Sequence, residues 1–79
     1  MSEVGRELRV DELKPKMIVI LVKAGRPAIT IWVSQMGQDF VVFYAGAINL
    51  TLIAYLREDG TLADDSGMQL RVFEYLGEV

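Results

Sequence analysis

Short apolar runs alternate with polar turn clusters along this chain at a spacing of about ten residues, the rhythm of short strands rather than of helices. The clusters are Lys14-Pro15-Lys16, Ala24-Gly25-Arg26-Pro27, Met36-Gly37-Gln38-Asp39, Ala45-Gly46-Ala47, Glu58-Asp59-Gly60 and Asp64-Asp65-Ser66-Gly67. Between them, Met17 to Val22 is continuously apolar, and Ala28 to Ser34, Phe40 to Tyr44, Leu50 to Leu56 and Leu70 to Leu76 are rich in β-branched and aromatic residues. Such side chains pack well on a pleated surface. The pattern predicts a mainly β fold, a meander or small antiparallel barrel of five to six strands. Asp59-Gly60 predicts a type I′ hairpin turn, which needs positive φ at both central residues.

The segment 49–58 carries two readings. Asn49 followed by Leu50, Ile53, Ala54 and Arg57, with Gly60 beyond, fits a capped helix with one apolar face. Thr51, Ile53 and Tyr55 favour a strand instead, and the strand is preferred. The chain has no linker, repeat or low-complexity tract, so residues 1–79 are expected to form a single small β domain with loose ends at 1–5 and 77–79.

Leu8-Arg9-Val10, the segment Asp11-Glu12-Leu13-Lys14-Pro15 and the run Met17-Ile18-Val19-Ile20 resemble the opening of SH3-like small barrels. In those folds a short strand leads through a leucine, lysine, proline, glycine turn into a long strand, and the final strand returns beside the first. Lys16 stands where the glycine is usual. The resemblance implies a fold and no particular activity, because SH3-like barrels serve unrelated functions.

Size changes the picture. For a chain of 8.8 kDa, burial is expected to contribute on the order of 120 kcal/mol, and ordering the chain at about 1.5 kcal/mol per residue costs roughly the same. A marginal monomer of this kind usually adds disulfides, a metal or a second subunit. The chain has no cysteine and no histidine, which leaves self-association. It also excludes thiol nucleophiles, CxxC zinc sites, imidazole bases and serine–histidine triads. No cofactor and no metal are expected, and catalysis is not the favoured reading.

Charge narrows the partners. The formal net charge of −3 argues against nucleic acid, which calls for a concentrated basic face. Its distribution is uneven: residues 1–26 hold Arg6, Arg9, Lys14, Lys16, Lys23 and Arg26 against four acids, and the remainder holds only Arg57 and Arg71 against seven. A signal peptide needs an apolar stretch after its basic start. Ser2 to Lys16 is polar and charged, so a cytoplasmic location is the expectation.

From Pro27 to Leu56 the only charged side chain is Asp39. A strand covered on one face should alternate apolar with polar, yet Phe40 to Tyr44 and Leu50 to Leu56 are apolar on both faces. A second copy of the chain is the simplest cover. The uncharged run 40–56 is short for a membrane span and is broken by Gly46 and Asn49, so no membrane partner is expected.

If Ile29, Ile31 and Val33 face a core, Thr30 and Trp32 face outward. Trp32 is then the leading candidate for a binding anchor, flanked by Tyr44 and Tyr55, with Phe40 and Asp39 completing the candidate surface. The expected function is a non-catalytic, homo-oligomeric protein-binding module with a possible protein or peptide partner. The alternative is a small-ligand binder or minor enzyme with a pocket at a subunit interface, using Asp39, Tyr44 or Tyr55 as polar groups. The acids Glu58, Asp59, Asp64 and Asp65 lack the ligand spacing of an EF-hand and read as solvated turns, and no glycine-rich phosphate loop occurs.

Overall fold

The computed structural model describes residues 2–78, with side chains for residues 4–77; Met1 and Val79, the tips of the expected loose ends, lie outside the described residues. Seven antiparallel strands form one sheet: β1 Ser2–Glu7, β2 Ile18–Lys23, β3 Ile29–Met36, β4 Phe40–Ala45, β5 Leu50–Leu56, β6 Leu62–Ala63 and β7 Gln69–Glu78. The spatial order is β1-β7-β2-β3-β4-β5-β6, and an additional β6–β7 pairing closes β2 to β7 into a six-stranded barrel. β7 is long enough to serve three neighbours. One edge pairs with β2 from Lys23↔Leu70 to Val19↔Glu74, and the other pairs first with β6 through Leu62↔Leu70 and then with β1 through Glu7↔Phe73 and Val4↔Tyr75. This is a small closed antiparallel barrel, SH3-like at the level of the fold, with β1 as an extra strand.

Alternation places Val19 and Leu21 of β2, Ile31 and Val33 of β3, Val41 and Phe43 of β4, Ala54 of β5 and Leu70 and Val72 of β7 in one core cluster, which Leu8 and Leu13 join from the loop before β2. Among the described residues, none with a polar or charged side chain belongs to this cluster. Segment 49–58 resolves as β5. Asn49 takes the left-handed conformation (φ 49°) at the end of a 3-10 turn, Gly46–Ile48, and starts the strand rather than capping a helix. A bulge at Ser34 slips the β3–β4 register from Val33↔Phe43 to Gln35↔Val42, which bends the strand and strengthens its twist.

Four local expectations are corrected. The Asp59-Gly60 turn is not type I′, because Gly60 has φ 87° while Lys16 and Asn49 are the only non-glycine residues with positive φ among the described residues. Gly60 N–H donates to Arg57 O and Arg57 N–H donates to Thr61 O, so a turn centred on Glu58 and Asp59 is followed by a glycine in the left-handed region. That is the three-residue hairpin loop, stabilised by the Asp59 carboxylate accepting from Thr61 N–H and Oγ.

Ser2 to Gly5, expected to be loose, belongs to β1, and Gly77 and Glu78 belong to β7. Ion pairs Glu7–Arg71 and Arg6–Glu74 hold the two strands together. Leu8-Arg9-Val10 is not a strand. The chain curls into a 3-10 turn at Val10–Glu12, since the Glu12 carboxylate accepts from Arg9 N–H and from the Arg6 guanidinium, which hold its pKa at about 2. Lys16, in the glycine position of the SH3-like turn, adopts the glycine-like φ of 73° and donates its N–H to Val33 O at 2.7 Å. The short β6 was not expected at all.

Candidate functional site

The outer surface of β3, β4 and β5 carries four of the large side chains that stay exposed among the described residues. Because Ile31 and Val33 point inward, Trp32 points outward, and it remains 47% exposed. Tyr44 of β4 lies directly opposite it in register and is 40% exposed. Tyr44 in turn pairs with Thr51 of β5, Val42 pairs with Ile53, and Phe40 pairs with Tyr55. Ile53 and Tyr55 are 44% and 45% exposed. Partners directly opposite in a sheet hold their Cβ atoms about 5 Å apart, so Trp32, Tyr44, Ile53 and Tyr55 make one surface across three strands. Together they leave on the order of 400 Å² of side chain open, at the scale of a functional patch on a monomer.

The structure brings Trp32 and Tyr44 together and sets Phe40 against Tyr55, but it does not gather all five predicted residues. Phe40 is only half-exposed, because its ring lies over Gly37: a Cβ added at Gly37 would stand 2.0 Å from the ring. Asp39 sits at the rim, where its backbone oxygen accepts from Leu56 N–H at 2.9 Å. Tyr44 lies along β4 from it, about 17 Å away at ordinary strand rise. Ile53 was not singled out from sequence, although it alternates with Thr51 and Tyr55 on the same strand face.

Two concavities flank this surface. A groove of about 790 Å³ opens at one end of the barrel, floored by Leu8, Leu62, Leu70 and Val72 and edged by Arg9, Asp11, Asp59 and Arg71. A second, of about 370 Å³, runs beside Thr51, Ile53 and Tyr55 toward Lys23, Asp64 and Asp65. Neither is lined by Asp39, so neither joins Asp39 to a tyrosine hydroxyl.

The acids of the 57–67 segment serve its turns. Asp64, with its side chain only 8% exposed, pairs with Lys23 and accepts from Ser66 N–H, Ser66 Oγ and Met68 N–H. Those bonds, that of Lys23 first, hold the Asp64 carboxyl well below the usual range, and Thr61 does the same less strongly for Asp59. Among the described residues no group of three or more acids is arranged to hold a metal ion. The uncharged run 40–56 forms two strands and their connecting turn, and no helix among the described residues is long and apolar enough to cross a membrane.

Compared with known proteins, the chain matches no family model, no curated protein and no solved structure.

Proposed function

We propose that this chain is a non-catalytic module of the cytoplasm that self-associates, and engages protein, through the outer face of β3, β4 and β5. One observation carries the reading: four large side chains, Trp32, Tyr44, Ile53 and Tyr55, stand uncovered on adjacent strands with no charged residue among them. Charge-depleted patches rich in Trp and Tyr are the composition of interface cores. The polar ring of Thr30, Ser34, Gln35 and Thr51 extends the surface toward the roughly 800 Å² per partner of a standard interface. The chain also exposes 5341 Å², above the about 4,800 Å² that surface scaling gives for its mass.

Trp32→Glu tests the reading. A charge placed at the centre of an interface should dissociate the assembly, while the barrel interior, which Trp32 does not enter, keeps its β circular dichroism. Sedimentation with circular dichroism on this variant reads both quantities. An assembly that persists, or loss of all structure, would contradict the reading.

A further inference from the structure

We infer that two copies of the chain meet face to face about a two-fold axis running parallel to β3, β4 and β5, which sets the basic flank of each face against the acidic flank of the other. The inference rests on the self-association reading above and adds the orientation of the partner.

The observation behind it is how the charges divide once internal pairs are removed. Arg6 and Arg9 are held by Glu12, Glu74 and Asp11, Lys23 by Asp64 and Arg71 by Glu7, while Arg57, which donates to Gly67 O, keeps its charge and is offset by the Asp59 carboxylate of the same turn. Lys14, Lys16 and Arg26 form no ion pair among the described residues, nor do Asp39, Glu58 and Asp65, and all six are exposed.

The topology sorts five of these six onto opposite sides of the aromatic face. Lys14 and Lys16 lead into β2, with Lys16 N–H bonded to Val33 O, and Arg26 lies in the β2–β3 turn. All three therefore border the β2–β3 side. Glu58 lies in the β5–β6 turn and Asp65 in the β6–β7 turn, so these two border the β5–β6 side, while Asp39 ends the β3–β4 turn at the foot of the central strand β4. Antiparallel order also fixes the ends. Lys14 and Lys16 share one end of the strands with Asp39 and Glu58, and Arg26 shares the other end with Asp65.

Of the two symmetric stackings that keep the strands of both copies aligned, one uses this arrangement. A two-fold axis parallel to the strands exchanges the flanks and keeps the ends, so Lys16 of one copy faces Glu58 of the other, and Arg26 faces Asp65. An in-plane axis across the strands keeps the flanks and exchanges the ends, which sets Lys16 against Arg26 and Glu58 against Asp65, like against like. An isologous interface repeats each contact twice, so the electrostatic difference between the two stackings is doubled. Rim charges of this kind select orientation and speed encounter more than they add affinity.

Charge reversal tests the orientation by sedimentation of the full chain at low salt. Lys16→Glu and Glu58→Lys should each weaken dimerisation, by about tenfold given two symmetric contacts turned repulsive. The double variant should return close to the wild-type constant, because both contacts are then attractive again. The pair Arg26→Glu and Asp65→Lys repeats the test at the other end of the face, away from the left-handed Lys16. Tighter association of Lys16→Glu, or a double variant weaker than either single one, would overturn the orientation while leaving the aromatic face as the interface. A wild-type chain that stays monomeric would overturn both readings.

Discussion

Two sides of this barrel manage outward-facing apolar residues differently. On β7 and β2, Phe73 and its register partner Ile20 alternate out of the core, yet Ile20 is almost fully covered. The Arg71 guanidinium lies over the Phe73 ring at 5.1 Å and is itself held by Glu7 of β1, so a paired cation roofs that ring. On β3, β4 and β5 the equivalent positions hold Trp32, Tyr44, Ile53 and Tyr55, which stay 40–47% exposed. An outward-facing ring can therefore be covered from within where a neighbouring strand holds a cation over it. Where there is none, the face stays open to solvent.

The largest expected effect separates interior from face. Phe43→Ala empties the centre of the core, where Phe43 has no exposed surface, and should cost about 3–5 kcal/mol, enough to unfold a marginal barrel. Trp32→Ala should cost the isolated fold under about 1 kcal/mol while weakening assembly. Denaturant unfolding of the two variants gives the contrast, and equal losses would erase the distinction between core and face.

Next in size is the roof itself. Arg71→Ala removes the cation over Phe73 and frees Glu7, and should lower stability modestly, since both partners are solvent-screened. It should also raise binding of an apolar dye, since Phe73 would join the open surface. Unchanged dye binding would mean that Arg71 covers nothing.

Acid should loosen the far end of β2. The Asp64 carboxyl titrates below its ordinary 3.8 in the folded chain, so its contribution is present above that pH and is lost as pH falls through and below it. The thermal midpoint should drop between about pH 5 and pH 2, and less steeply in Asp64→Asn, which starts from a lower midpoint at pH 7. Parallel pH profiles for the two chains would show that the Lys23–Asp64 pair is not linked to folding.

The smallest effect expected is a gain. Lys16→Gly relieves a left-handed residue, and should raise thermal stability at low concentration by about 0.5 kcal/mol after the larger entropy of an unfolded glycine chain is allowed for. A loss would indicate that the Lys16 side chain contributes packing beyond its backbone bond to Val33.

Much of this was legible from alternation and turn chemistry. Thr51, Ile53 and Tyr55 marked β5 as a strand, and the Ile29-Ile31-Val33 set fixed which way Trp32 points. The lysine in the SH3-like turn keeps glycine geometry, so the resemblance held at fold level despite the substitution. What escaped depended on partners far apart in sequence. β1 reads as a polar tail until Arg6 and Glu7 meet Glu74 and Arg71, and β6 is two residues that become a strand only by pairing with both β5 and β7. The hairpin at Asp59-Gly60 was misjudged because one positive φ, at Gly60, suffices when the loop has three residues. At the candidate surface, periodicity found Trp32, Tyr44 and Tyr55. It could not show that Phe40 leans on Gly37 or that Asp39 lies at the rim.

Sedimentation velocity of the wild-type chain across micromolar concentrations tests the central claim most directly. A concentration-dependent shift toward twice the 8.8 kDa chain mass is expected, abolished by Trp32→Glu without loss of β structure. A single 8.8 kDa species at every concentration would contradict it.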